Sequence, residues 1–167
     1  MKIRRIVSAL GVVLFTVAMS CGDNGMEPTG IINPDYLVFG SFFGECFGEE
    51  CVEIFKMEGG KLYEDTIDRF PTGSVPYEGT FVEIDDAEQN SVKRLIQSFP
   101  AALLDETDTV IGMPDAGDWG GWYLEVYESE NNRLRYWLID NMESNLPDYL
   151  HAFVDSMRNV RQRLSNQ

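Results

Sequence analysis

The sequence predicts an α+β domain, in which one internal helix and one C-terminal helix pack on an antiparallel sheet of about five or six strands. Short segments rich in β-branched and aromatic residues recur between turn residues, as strands do. One amphipathic stretch interrupts them and a longer one closes the chain. Helices segregated from strands in this way are typical of a sheet covered on one side.

The chain opens with a predicted secretory signal at residues 1–20. Lys2, Arg4 and Arg5 precede fifteen uncharged residues, 6–20, and small residues follow before Cys21. As a helix this uncharged run would span about 22 Å, which is short of the roughly 30 Å hydrocarbon core of a bilayer. A cleaved signal is therefore favoured over a transmembrane anchor.

Cys21 is the predicted lipidation site. The residues Ala18-Met19-Ser20-Cys21 resemble a bacterial lipobox, in which the cysteine is acylated and becomes the mature N-terminus. Acyl chains would attach the protein to the membrane, and residues 21–35 would serve as a short tether. Because Gly22 follows the cysteine, we expect an outer-membrane address, facing the periplasm or the cell exterior.

Residues 36–167 are predicted to form a single globular domain. Of the 167 residues, 13 are basic and 28 acidic, and three of the basic ones lie in the leader. The chain from Gly22 onward therefore carries 10 basic against 28 acidic residues, a net charge of −18. Such a charge opposes binding to phosphate backbones, so the composition excludes a nucleic-acid binder.

Cys46 and Cys51 are predicted to form a disulfide in a hairpin loop. An envelope compartment permits disulfides, and with Cys21 acylated these two cysteines make one even pair. The flanking segments are strand-like. A redox role is disfavoured because the surrounding glutamates would raise a thiol pKa. A zinc site lacks ligands beyond these two and His151.

The middle of the chain predicts a hairpin, a further strand and a helix. Gly59-Gly60 is a two-residue turn that sets Glu58 opposite Lys61 and Met57 opposite Leu62. Residues 77–84 alternate as a strand, and residues 87–99 show helical periodicity, with Asp85 or Asp86 as the expected cap.

Residues 122–127 and 133–139 predict the clearest hairpin. The expected register places Trp122 opposite Leu138, Leu124 opposite Tyr136 and Val126 opposite Leu134, with Tyr123 facing Trp137 on the second face. The closing helix is predicted from six apolar residues spaced by four and three, with Asn145 as its cap and Pro147 in its first turn. These six are Leu146, Leu150, Phe153, Met157, Val160 and Leu164.

The loop 114–121 is the candidate site for chemistry. Asp115, Asp118 and Trp119 lie among glycines, so a polar ligand or a cation is one interpretation. The loop lacks the oxygen-ligand spacing of an EF-hand, and a glycine-rich turn with solvated acids is the alternative. We predict no catalytic residue, metal or cofactor. Lone His151 is expected to be structural.

Aromatic residues suggest a contact face for a protein or glycan. Trp122 is assigned to the core, whereas Tyr123 and Trp137, paired on the second face, are the better contact candidates. A second packing layer would bury both equally well, and the pattern leaves that choice open.

Two runs carry a resemblance to a known family: residues 35–71, with Cys46-Phe47-Gly48-Glu49-Glu50-Cys51, and residues 146–157, LPDYLHAFVDSM. They resemble an uncharacterised family of small Bacteroidetes lipoproteins. In that family a second cysteine pair, Cys-Pro-Asp-Cys, stands where this chain has Met113-Pro114-Asp115-Ala116. The resemblance implies an envelope address and brings no activity or catalytic residue.

The function expected from these observations is that of a lipid-anchored cell-envelope protein. Its domain would bind an envelope protein or a glycan and is not expected to be an enzyme. The alternative is a carboxylate-based or cation-dependent enzyme that uses the loop 114–121.

Overall fold

The structure, a computed structural model, describes residues 32–84 and 88–165 and shows an α+β fold. The predicted leader, Cys21 and most of the tether lie outside these residues. Within the described ranges no helix is both long and apolar enough to span a bilayer. The strands and helices, in chain order, are β1 Tyr36–Phe42, β2 Val52–Glu58, β3 Lys61–Asp65, β4 Phe81–Ile84, α1 Gln89–Gln97, β5 Val110–Ile111, β6 Gly121–Glu128, β7 Arg133–Asp140 and α2 Asp148–Leu164.

The described strands form one mixed sheet of seven, in the order β4-β3-β2-β1-β6-β7-β5. The sheet has one strand more than the five or six expected, and one of its strand pairs is parallel where all were expected to be antiparallel. The added strand, β5, has two residues and runs parallel to β7. A two-residue strand carries no alternation that a sequence could reveal, because its pairing is set by its neighbour in space.

Both predicted helices cover the same face of the sheet. The main core lies between them and the strands, where Leu37, Phe39 and Leu124 meet α1 and α2. The six apolar residues predicted for the C-terminal helix are all buried, as expected. The predicted cap Asn145 is wrong, because it lies in a short turn before α2, which begins at Asp148 after Pro147. Asp85 and Asp86 lie outside the described residues.

A chain segment, residues 66–80, crosses the second face of the sheet. Phe70 packs edge-on against Phe42 of β1, with ring centroids 5.0 Å apart. Gly73 lies against Leu138 of β7, and Tyr77 against Tyr123 of β6. The predicted strand 77–84 therefore begins only at Phe81, since the residues before it belong to this covering segment.

The register of β6 and β7 differs from the prediction by one residue. Trp122 pairs with Ile139, and Leu124 pairs with Trp137. A one-residue shift exchanges the two faces of a strand, so Trp137 joins the helix-side core and Leu134 turns to the other face. The turn between β2 and β3 has its predicted register, with Glu58 opposite Lys61.

Candidate functional site

Three loops meet at one end of the sheet and form the candidate site, which we call the three-loop surface. They are residues 43–51 after β1, residues 112–120 before β6, and residues 141–147 after β7. Phe42 pairs with Gly121, and Gly121 pairs with Asp140, so the antiparallel order brings these strand ends side by side. The topology alone therefore collects the loops.

Large apolar side chains are exposed on all three loops. Phe47 of the first loop is fully exposed, Met113 and Trp119 of the second are 61% and 59% exposed, and Met142 of the third is also exposed. Aromatic residues and methionine are enriched in protein interfaces, whereas charged residues are depleted at interface centres. These exposed apolar groups at one end of the sheet make the three-loop surface the candidate contact site.

A buried carboxylate holds the second and third loops together. Asp140, at the end of β7, is almost wholly buried and accepts hydrogen bonds from the backbone N–H groups of Met113 and Met142, at 2.7 and 2.8 Å. The side-chain amide of Asn145 donates a third, at 2.8 Å. Both exposed methionines are thus fixed through their own backbones.

Asp115 organises the second loop. Its backbone N–H donates to the carbonyl of Gly120 at 2.8 Å, and its Oδ1 accepts the N–H of Gly120 at 3.1 Å. Asp115 and Asp118 both adopt positive φ, 61° and 65°, a conformation that aspartate tolerates better than most residues. The Asp115 carboxylate is therefore used within the loop, while Asp118 is exposed.

Asp115 and Asp118 were the residues predicted to bind a cation or a polar ligand. No group of three or more potential ligands among His, Cys, Asp and Glu occurs within residues 32–84 and 88–165. The loop instead presents Trp119 beside acids that structure it or face water.

The first loop packs directly on the second. Gly44 lies so close to the Asp115 carboxylate that a Cβ at this position would collide with it. The ring of Phe43 likewise occupies the space that a Cβ on Gly120 would need, and Gly120 has a φ of 72°. Gly120 therefore has neither the room nor the backbone conformation for a side chain, and at Gly44 a side chain would displace the Asp115 carboxylate.

The predicted disulfide is confirmed and lies within the first loop. Cys46 and Cys51 are bridged, with Cα atoms 5.4 Å apart. The hairpin loop is longer than predicted, because β1 ends at Phe42. Arg161 of α2 donates a hydrogen bond to the carbonyl of Glu50 at 3.3 Å, so the last helix also holds this loop.

Trp119 is fixed by its backbone while its ring remains exposed. The side-chain N–H of Asn141 donates to the Trp119 carbonyl at 3.0 Å, and the side-chain Oδ1 of Asn141 accepts from the indole N–H of Trp122 at 3.0 Å. Arg158 of α2 donates to the same Asn141 oxygen at 3.1 Å. The loops form one hydrogen-bonded unit anchored on a helix.

Tyr123 and Trp137, the other predicted contact residues, are completely buried. Trp137 lies in the helix-side core, and Tyr123 lies under the segment 66–80, which is the second packing layer left open by the sequence. Neither side chain reaches a partner from these positions. Trp122, assigned to the core, is buried there.

Tyr123 belongs instead to a buried polar cluster on the second face. Its hydroxyl donates to the carboxylate of Glu125, which also accepts from the Tyr36 hydroxyl and the Tyr77 N–H, both at 3.1 Å. Burial raises the pKa of Tyr123 above the usual tyrosine value, and the negative charge of Glu125 raises it further. Asp65 is the second buried acid here, accepting from the Tyr77 hydroxyl at 2.6 Å.

His151 has a local role on α2. Its Nε2 lies 3.1 Å from the Leu146 carbonyl, and its Nδ1 lies 3.1 Å from a carboxylate oxygen of Glu143. Both partners belong to the chain just before α2. The ring therefore ties the helix to the third loop, close to the expected structural role.

Sequence reasoning identified Trp119 and its loop but missed Phe47, Met113 and Met142. All three lie in loops at the same end of the sheet. Phe47 follows β1, Met113 precedes β6 and Met142 follows β7, and the sequence had indicated all three of these strands. The antiparallel strand order would have grouped them, had it been known. Compared with family models, with curated proteins and with solved structures, the chain matches none of them.

Proposed function

We propose that the chain is a lipid-anchored bacterial cell-envelope protein that binds a protein partner through the three-loop surface. The observation that carries the proposal is the set of exposed apolar side chains on loops that the buried Asp140 carboxylate and hydrogen bonds between the loops hold in place. Phe47, Met113, Trp119 and Met142 make up this set. A surface ordered before binding loses less conformational entropy on association.

A protein is favoured over a glycan by the chemistry of these side chains. Methionine adapts its shape to an apolar surface and offers a sugar no hydrogen bond. The exposed acids Asp118 and Glu143 are next in sequence to Trp119 and Met142, so polar groups accompany the apolar ones, as they do in protein interfaces. The enzyme hypothesis draws no support from this loop, because Asp115 is engaged by Gly120.

The address rests on the predicted leader and on Cys21, and it is supported by the resemblance to Bacteroidetes lipoproteins. Acylation of Cys21 would keep the domain at the outer membrane, facing the periplasm or the exterior. The disulfide between Cys46 and Cys51 agrees with an oxidising compartment. The proposed partner is therefore an envelope protein.

The test is photo-crosslinking in the native cells with a photoreactive amino acid at one of two positions. Asp118 lies beside Trp119 in the three-loop surface. Glu83 is an exposed control position on β4, an edge strand that contributes no loop to this surface. We expect one dominant protein adduct from position 118, none from position 83, and loss of the adduct when Cys21→Ser removes the anchor.

A purified complex then tests the surface itself. Trp119→Ala or Phe47→Ser is expected to weaken binding to the crosslinked protein at least tenfold. Val82→Ser on β4, at a position about as exposed as Trp119, should leave binding unaltered. Equal crosslinking from both positions, or binding that tolerates both loop substitutions, would refute the proposal.

A further inference from the structure

Strand β7 is only partly covered on its outer side. Val110 and Ile111 of β5 pair with Leu138 and Ile139 at the end of β7. The earlier part of the strand, from Arg133 onward, pairs with β6 on its inner side. Within the described residues, no strand pairs with the outer side of this earlier part of β7. This leaves an edge of backbone groups open to a further strand.

The open groups can be assigned from the alternation of the ladder. The N–H of Leu138 points outward, since it donates to the Thr109 carbonyl at 2.8 Å. In an antiparallel pair, backbone groups of alternate residues point to the same side. Tyr136 and Leu134 therefore direct their N–H and C=O groups outward, while Arg135 and Trp137 direct theirs to β6.

A groove runs along this open edge. Residues 105–109 form its outer wall and residues 134–137 of β7 its inner wall, around a cavity of about 390 Å³ that is open to solvent. Leu134 is 39% exposed and contributes apolar surface to the groove. We call this site the edge groove.

Hydrogen bonds hold the outer wall of the groove in place. Arg135 donates to the Glu106 carbonyl across the gap, and the Tyr149 hydroxyl of α2 donates to the Glu106 carboxylate. The Thr109 hydroxyl donates to the Gly73 carbonyl at 2.9 Å. These contacts join the wall to β7, to α2 and to the covering segment, so the wall is tied to three separate parts of the fold.

The charge of the groove selects the occupant. Asp105, Glu106 and Asp108 line the outer wall, and Asp105 and Asp108 are exposed. The cation Arg135 is engaged by the Glu106 carbonyl and lies over the Trp137 ring. Acidic side chains beside unpaired strand edges suit an extended segment that bears lysine or arginine. A second copy of this chain would place acids against acids.

We propose that the edge groove receives an extended, basic segment of a partner protein, which adds a strand to the outer side of β7. Backbone hydrogen bonds to Leu134 and Tyr136 would supply register-dependent affinity, and the acidic wall would select the charge. This site lies away from the three-loop surface and goes beyond the function proposed for it.

The test uses the full chain in detergent and a fluorescent probe peptide that alternates lysine with valine and threonine. Two further probes carry N-methyl groups on alternate backbone amides. One is methylated at the odd-numbered residues and the other at the even-numbered residues. Since an added strand bonds its neighbour through every second residue, we expect one methylated probe to lose at least tenfold in affinity and the other to bind within about twofold of the parent. Replacing lysine by glutamate in the probe is expected to abolish binding.

Protein variants and hydrogen exchange locate the bound probe. Asp105→Asn combined with Asp108→Asn should weaken the lysine probe at least fivefold, whereas Trp119→Ala should not affect it. The amides of Leu134 and Tyr136 should exchange rapidly in the free protein and slowly with the probe present. Equal binding of both methylated probes, unchanged exchange at these two amides, or self-association through β7 in place of probe binding would overturn the proposal.

Discussion

The hydroxyl of Tyr123 donates a hydrogen bond to the carboxylate of Glu125, two residues further along β6, and both side chains are buried under the segment 66–80. The Tyr123 oxygen also accepts the N–H of Tyr77 at 2.8 Å, from within that covering segment. One tyrosine therefore satisfies a buried acid in the sheet and a backbone donor in the layer above it.

Replacing this hydroxyl should loosen the covering segment. We expect Tyr123→Phe to lower the free energy of unfolding by about 1–3 kcal/mol, because it leaves the Tyr77 N–H and one Glu125 oxygen with fewer partners inside the protein. Urea unfolding followed by tryptophan fluorescence measures the change. Tyr63→Phe is the matched control, since no hydrogen bond involves the Tyr63 hydroxyl in the described residues, and a loss as large there would contradict the assignment.

The same cluster predicts a loss of stability at alkaline pH. Burial raises the pKa of Tyr36, Tyr77 and Tyr123, and the neighbouring carboxylates of Glu125 and Asp65 raise it further. A tyrosine whose pKa is raised in the folded state contributes stability that is fully present below its unfolded pKa, near 10, and is lost as pH rises beyond that value. We therefore expect the unfolding free energy to fall above about pH 10, since the unfolded chain releases these protons first.

Tyrosinate absorbance and urea unfolding, measured across the same pH range, check this expectation. For a single buried group that keeps its proton, the loss is roughly 1.4 kcal/mol per pH unit above the unfolded pKa. Tyr123→Phe should make the decline shallower by removing one such group. A decline of unchanged slope in that variant would show that lysine deprotonation, and not the buried tyrosines, controls alkaline unfolding.

Asp140 is expected to be the main structural determinant of the three-loop surface. Asp140 is itself almost wholly buried, and it accepts hydrogen bonds from the N–H groups of Met113 and Met142 and from the side-chain amide of Asn145. Asp140→Ala should lower the unfolding free energy by about 3 kcal/mol, because three hydrogen bonds to a buried, charged acceptor are lost. Asp155→Ala removes an exposed acid that is paired with Arg158, and it should cost roughly 0.5 kcal/mol or less. Chemical denaturation of the two variants gives the comparison.

The disulfide is expected to shape the first loop more than it stabilises the fold. Cys46 and Cys51 are separated by five positions, so closing this ring contributes only about 2 kcal/mol through the entropy of the unfolded chain. Cys46→Ser with Cys51→Ser should leave a folded protein with slightly lower stability and at least tenfold weaker binding of the crosslinked partner. If the double variant is unfolded at room temperature, or if it binds the partner as tightly as the parent protein does, the disulfide does not have this role.

Elements that place their apolar residues on a single face were predictable from the sequence. The C-terminal helix has a single apolar stripe, and the Gly59-Gly60 turn permits one register for Met57 and Leu62. The second face of the sheet was less predictable, because the segment that covers it, residues 66–80, has neither helical nor strand periodicity. Its position depends on contacts with Phe42, Tyr123 and Leu138, which lie far away in the sequence.

The hairpin of β6 and β7 shows why a clear strand pattern can still give the wrong register. Both strands carry apolar or aromatic residues on each face, so alternation does not say which face meets the helices. The loop decides: Ser129–Asn131 form a turn and Asn132 has a φ of 46°, which makes Glu128 and Arg133 the closing pair. A conformation set by one left-handed asparagine is not visible in hydrophobic periodicity.

The register has a direct consequence at position 134. In the predicted register Leu134 would be opposite Val126 in the core, whereas in the structure it lies opposite Tyr127 and is 39% exposed. Leu134→Lys should therefore change the unfolding free energy by roughly 0.5 kcal/mol or less, as surface substitutions usually do. Trp137→Ala, which removes a completely buried indole, should cost about 3–5 kcal/mol. Urea unfolding of both variants distinguishes the registers, because a lysine at a core position opposite Val126 would destabilise the protein by several times more than one at the exposed edge of β7.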